Sequence, residues 1–445
     1  MDTRIRVILL RKHMRMKLLK SAKVSIKRRN LLLGGACAVF SATGRGRAAE
    51  PDRKVPPSIA ALRSMRSEAK PISNEERGER ILKAQKLMSG NGMDAMLLAG
   101  GASLFYFTGM HWGNSERLFA CVIPARGRAF LVCPSFEEGR VRERLDRGPL
   151  EDATVLTWHE DESPYQLVAS GLKNLSILSG TLGIEERTPW VFSDGIGRAA
   201  PAVHLRSATP VTAGCRMIKS AHELALMRLA NRATLSVYEA VYHALEPGMT
   251  QDQAEELIAA AYARVGFPGE ASVEVDAGSA LPHGSEKPQS IAENSLVMID
   301  DGCLVEGYNS DITRTFVIGK ATDKMKRAFD LVKRAQTAAL AAARPGVECQ
   351  AVDAAARKVI VEAGYGPDYK FFSHRVGHGI GLEGHEWPYL VRGNVLPLAP
   401  GMTFSDEPGV YLKGEFGMRL EDDMYITEHG AELFTPQSPS IEQPF

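Results

Sequence analysis

Thiol chemistry has little to work with in this chain. Its 445 residues include six cysteines, at positions 37, 121, 133, 215, 303 and 349, with none of the short intervals that thiolate metal sites use. That excludes a zinc ribbon or an iron–sulfur cluster, and nothing in the set demands disulfides. Aromatic residues make up only 7%, and no stretch approaches the ~20 consecutive apolar residues that a membrane-spanning helix needs. With a net charge of +1, the chain also lacks the overall basic excess that marks a nucleic-acid partner.

The small net charge conceals an uneven distribution. Residues 1 to 29 carry eleven Lys and Arg against one Asp, leaving 43 basic and 52 acidic residues for the remainder. This basic head precedes a ten-residue apolar run, Leu31 to Phe40, and a charged segment followed by a short apolar one reads as an export signal. Arg28-Arg29, with Ser25 before and Asn30-Leu31-Leu32 after, resembles a twin-arginine signal, a class of leader used by proteins exported already folded. Residues 1–49 are therefore expected to be a leader ending near Ala48-Ala49, with Met14 or Met16 as alternative starts and a periplasmic or secreted destination. A nucleic-acid-binding arm is the competing reading of the head.

With 44% hydrophobic and 24% charged residues, the rest can bury a sizeable core in two or three domains. After a polar linker, residues 50–74, an α/β pattern occupies 75–218. Glu75 to Met88 has helical periodicity, while Ala95 to Leu98, Phe119 to Ile123 and Ala129 to Val132 read as strands. Ser220-Ala221-His222-Glu223 is a capping box opening the region 219–445. Within that region the chain repeats itself. Pro247-Gly248 and Pro345-Gly346 each follow an Ala-rich helix, and each is followed nineteen residues after the proline by another glycine, Gly266 and Gly364. A duplicated, pseudo-twofold domain is expected.

The chemistry concentrates in the repeated region. Asp300 ends an apolar run and Asp311 opens another, with turn residues Gly302, Gly307 and Asn309 between them. A hairpin turning about Val305-Glu306 would make the two acids cross-strand partners ~5 Å apart, a separation that calls for a cation between them. Glu407 and Glu421 are equidistant from Gly414, between the extended segments Val410 to Leu412 and Met424 to Ile426. His378, in a segment that also holds His374 and His385, supplies an imidazole. Each residue alone reads as a turn cap or a core histidine. Five together, in two hairpins and a Gly-His-Gly segment, form the N/O ligand set of Zn, Mn, Co or Fe.

Leu281-Pro282-His283-Gly284, Asp300 to Phe316, His374 to Pro388, Glu407-Pro408-Gly409 and Arg419-Leu420-Glu421-Asp422 resemble the pita-bread metallopeptidases, most closely the prolidase and aminopeptidase P branch, over about residues 75 to 435. The resemblance implies a creatinase-like α/β amino-terminal domain, a pseudo-twofold catalytic domain and a homodimer. It places two divalent ions on Asp300, Asp311, His378, Glu407 and Glu421, with Asp311 and Glu421 bridging. It implies Xaa-Pro bond hydrolysis by a shared hydroxide, with Glu407 as proton shuttle, His385 at the oxyanion, and His283, His374 and Arg419 around the substrate. A lyase acting on a sulfonium compound such as dimethylsulfoniopropionate, or a non-catalytic binding homologue, are the alternatives; the intact ligand set argues against the latter. Some dipeptidases resembling this segment carry Arg four residues after the second histidine, where it pairs with a dipeptide carboxylate. Here that position is Tyr389, from which a peptidase tolerant of residues beyond the proline is expected, with Arg392 and Arg419 as possible substitutes for the missing charge.

Overall fold

Ser73 and Ser220 each open a helix by reciprocal capping. The serine hydroxyl accepts from the backbone N–H of Glu76 or Glu223, whose carboxylate accepts in return from the serine N–H. The helices Asn74–Gly90 and Ala221–Tyr242 thus begin where the sequence signals placed them. The structure, a computed structural model, describes residues 55–445; the leader, Arg28-Arg29 and Cys37 lie outside the described residues.

The first α/β region is built on six strands, β1 (Ala95–Leu98), β2 (Ala120–Pro124), β3 (Phe130–Pro134), β4 (Thr154–Trp158), β5 (Gly180–Ile184) and β6 (Val203–Ser207), in the order β4-β3-β2-β1-β5-β6. Every residue of β1, β2 and β3 is buried. A strand covered on both faces has no reason to alternate polar with apolar, which is why these three read as continuous apolar runs.

The repeat in the sequence is a repeat in topology. Gly248 (φ 97°) and Gly346 (φ 82°) turn the chain into the helices Gln251–Val265 and Cys349–Glu362. In the first half, β7 (Ser272–Val275), β8 (Leu296–Asp301), a short hairpin of β9 (Leu304–Val305) and β10 (Tyr308–Asn309), and β11 (Ile312–Val317) follow. In the second, β12 (Gly377–Gly379), β13 (Glu386–Leu390), β14 (Thr403–Asp406), the hairpin of β15 (Gly409–Leu412) and β16 (Phe416–Arg419), then β17 (Asp422–Ile426) and β18 (Ala431–Leu433) follow. The central strands β8 and β14 each pair antiparallel with one earlier and one later strand, and each later strand is reached through a small hairpin.

Two register expectations need correction. The first hairpin turns at Glu306-Gly307, not Val305-Glu306. Both residues have positive φ, 51° and 88°, as a tight two-residue hairpin requires, and Val305 faces Tyr308. Asp300 therefore lies opposite Thr313, and Asp311 sits just ahead of β11. Because the slip moves the partner by two residues, each side chain keeps its face of the sheet. The second hairpin does centre on Gly414, with Gly409 opposite Arg419. Its return strand, however, is β16, whereas Met424 to Ile426 belong to β17 and pair with β14. Pro408 offers no N–H to a ladder, and Glu407 and Glu421 occupy the breaks between the two pairings.

Cys121, Cys133, Cys215, Cys303 and Cys349 are all buried and free. Burial pushes the thiols of Cys121 and Cys133 up to about 12, and those of the other three up to about 11. Among the described residues, no helix is long and apolar enough to cross a membrane.

Candidate active site

Strand ends aim the acids at one point. Asp300 is the last residue but one of β8, Asp311 precedes β11, Glu407 follows β14, Glu421 lies between β16 and β17, and His378 is the middle residue of β12. Oxygen atoms of Asp300, Asp311 and Glu421 lie within 4.8 Å of one another, and so do ligand atoms of His378, Glu407 and Glu421. Glu421 is common to both groups, and Asp311 reaches across to His378, whose Nε2 is 3.7 Å from its Oδ2 and 3.3 Å from Glu407 Oε1. His378 Nδ1 lies 3.2 Å from the Gly379 carbonyl, which fixes the proton there and turns the Nε2 lone pair toward the carboxylates, the orientation of a metal-binding imidazole.

Without an added cation this arrangement is electrostatically frustrated. Desolvation, followed by repulsion from Asp300, holds Asp311 well above the usual carboxylate range. Glu421 is displaced the same way by burial and then by Asp311, and burial pushes Glu407 up to about 8. One oxygen of Glu421 is buried without a hydrogen-bond partner, a costly state for a carboxylate. Arg419 offsets part of the charge by donating to Asp300. The Thr313 hydroxyl lies 2.6 Å from both Asp300 and Glu421, yet its single proton can serve only one. Four carboxylates, one neutral imidazole and an unpartnered oxygen fit two hard divalent cations.

The surrounding cleft, of about 220 Å³, is lined by the expected His283, His374, His385 and Arg419, and also by Pro282, Asp301 and Arg375. His283 lies at the exposed rim. His385 stacks on His378 with ring centroids 3.6 Å apart, and although its outer edge is exposed, desolvation by its cleft neighbours, then Arg375, pushes its imidazole down to about 4. Its nitrogens also come within ligand distance of Asp311 and His378. His374 differs from expectation, because both its nitrogens are taken by protein. Nδ1 is 2.8 Å from the Arg375 carbonyl, and Nε2 is 2.7 Å from the Tyr411 hydroxyl, which also accepts from Arg419 at 2.9 Å. His374 thus positions Tyr411 and Arg419.

Sequence reasoning passed over Thr313, Tyr411, Arg375 and Asp301. Thr313 stands two residues after Asp311, hence on the same face of its strand, and that alternation was its available signal. The segment bearing His385 is tied down from behind. Glu383 pairs with Arg187 at 2.5 Å and Arg216 at 2.7 Å, while Glu386 accepts from Arg216 and from Lys219 at 2.6 Å. Burial opposes ionisation of Glu386, but the two cations outweigh it and hold its carboxyl below the ordinary value.

Comparison with known proteins agrees with this geometry. Residues 225–428 match the metallopeptidase family M24, and residues 80–218 the creatinase/prolidase N-terminal domain. The chain is 35% identical over 364 residues to a probable dipeptidase PepE of Mycobacterium tuberculosis, covering 79% of this chain and 92% of that protein. It is 30% identical over 368 residues to an Xaa-Pro dipeptidase of Lactobacillus delbrueckii subsp. lactis, covering 81% and 97%. The crystal structure of dipeptidase PepE from Mycobacterium ulcerans superposes with a TM-score of 0.77 at 33% identity, covering 84% of this chain and 99% of that one.

Proposed function

We propose, from the premise that this chain belongs to metallopeptidase family M24, that it hydrolyses peptide bonds preceding proline and does so with two divalent cations. The observation that carries the dinuclear reading is Glu421, shared by both ligand groups and left with an unpartnered buried oxygen. Asp300, Asp311 and Glu421 would hold one cation, and His378, Glu407, Asp311 and Glu421 the other. When bound, such ions polarise a carbonyl and lower the pKa of water toward ~7.

The chain's own groups do the rest. Glu407, as its ionised carboxylate, would take the proton of the attacking water and pass it to the leaving nitrogen. Desolvation by the cleft walls and the neighbouring Arg375 favour neutral His385, so it can donate an N–H to the developing oxyanion. His374, Tyr411 and Arg419 form a hydrogen-bonded chain ending on Asp300, which fixes that carboxylate. A proline leaving group has a tertiary amide nitrogen with no N–H, so selection acts through shape. Mass-spectrometric metal analysis beside turnover of Xaa-Pro and Xaa-Ala peptides tests the reading. Two metal equivalents and an Xaa-Pro preference support it. Turnover of the sulfonium substrate with no peptide hydrolysis would establish the lyase alternative instead.

Export is a further part of this reading, resting on Arg28-Arg29 ahead of the short apolar run. Replacing both with Lys is expected to leave precursor in the cytoplasm. Recovery of the wild-type chain solely from cytosol, with residues 1–49 intact, would refute it.

A further inference from the structure

His385 enters the metal cleft from a loop whose two ends are held differently. Residues 380–385 join β12 to β13 and belong to neither helix nor strand. The first end is pinned at Gly381, whose carbonyl accepts from the backbone N–H of Asn309 at 2.8 Å and from its side-chain amide at 2.9 Å. The second end is not held by packing, since a Cβ placed on Gly384 would meet no atom within 4 Å. What grips the backbone there comes from the other domain. Arg187 Nη2 donates to the His385 carbonyl at 3.1 Å across 198 positions of sequence.

Arg187 is itself aimed. It follows β5 in the amino-terminal α/β region, and its backbone N–H donates at 2.9 Å to Glu185, whose other oxygen accepts from Ser103 at 3.2 Å. With Nε paired to Glu383 at 2.5 Å and Nη2 on the His385 carbonyl, the guanidinium plane has one orientation. Arg187 lines a second cavity, of about 210 Å³, which shares no residue with the metal cleft. Its effect on the reaction therefore passes through His385 and not through a contact with substrate. The His385 ring, stacked on His378, swings with its own peptide, and a misplacement of ~1 Å is enough to weaken a group that must meet a transition state.

We propose that Arg187 is a positioning residue, which fixes the His385 backbone from the amino-terminal domain and so makes turnover depend on the docking of that domain against the catalytic one. The inference rests on the peptidase reading above and on the role given there to His385. Arg216 also crosses from the first domain, to Glu383 and Glu386, but it is buried and its loss strands two acids. Arg187, whose side chain is 40% exposed, can be replaced without that damage.

The test is a double-mutant cycle on the metal-loaded full chain, read with an Xaa-Pro peptide. Arg187→Met is expected to lower kcat ~10-fold while KM stays within ~2-fold and metal content is unchanged. Arg187→Lys, a single ammonium in place of the fork, should recover part of the loss. In a His385→Ala background the same Arg187→Met change should cost less than ~2-fold, because the group it positions is already gone. Equal losses in the two backgrounds, loss of metal from Arg187→Met, or wild-type kcat in that variant would each overturn the inference and leave the peptidase intact. A metal-loaded wild type that cleaves no Xaa-Pro peptide would remove both readings together.

Discussion

Two groups of acids, each buried or half-buried, meet near His385, and they are built on opposite principles. Behind it, Glu383 and Glu386 are answered by Arg187, Arg216 and Lys219. In front of it, Asp300, Asp311, Glu407 and Glu421 are answered by Arg419. The first group keeps Glu386 ionised against its own burial; in the second, Asp311, Glu407 and Glu421 are pushed toward protonation. A fold that can satisfy buried carboxylates a few residues away, and does not do so in the cleft, keeps a place for positive charge from outside.

The largest effect follows from taking that place away. Asp311→Asn and Glu407→Gln are each expected to lower kcat by more than ~10³-fold, with circular dichroism unchanged, and a chelator should do the same reversibly. Either variant with full activity would end the two-cation reading. Next in size, Arg216→Met breaks the satisfied group and leaves Glu383 and Glu386 short of a partner, at about 3 kcal/mol of stability. In chelator-treated protein, Glu421→Gln should act in the opposite direction and raise the melting temperature, because it removes a frustrated charge. If both variants destabilise equally, the contrast between the groups is false.

His385→Ala tests the boundary between them. Turnover should fall ~10²-fold with both metal equivalents retained; loss of one equivalent would make His385 a ligand. The smallest expected effect is in pH dependence. Glu407 and Asp423 are raised to about 8, so in chelator-treated protein their contribution is fully present below the unfolded value and is lost as pH rises through ~8. Glu386, held low, contributes above its unfolded value and loses that contribution as pH falls through its folded one. Chelator-treated protein should therefore melt a few degrees higher at pH 6 than at pH 9, and added metal should shrink the difference. A flat profile would show that the cleft acids are not frustrated.

The residues that bind or cap were the most legible part of the chain. Ser220 and Glu223 are three positions apart because capping geometry requires it, and Asp300, Asp311, Glu407 and Glu421 sit at breaks that glycine and proline announce. Registers were harder to read. Glu306 at positive φ carries no clear sequence mark, so the first turn was placed one residue early, and the second hairpin's return strand was mistaken for the next strand along. The misplacement did no harm to the site because it preserved strand parity. Tyr411 could not have been found that way, because its role depends on contacts with His374 and Arg419 that are visible only in three dimensions.

The five buried thiols have a consequence for the order of events in the protein's life. A disulfide or a sulfenic acid forms by way of a thiolate, and groups pushed up to about 11 or 12 supply almost none at neutral pH. Once folded, the described chain carries these cysteines as inert packing, their sulfurs indifferent to the oxidant around them. Unfolded, it presents all five as ordinary reactive sulfhydryls. For this protein, meeting an oxidising medium after folding or before it is the difference between no thiol chemistry and a set of mispairings.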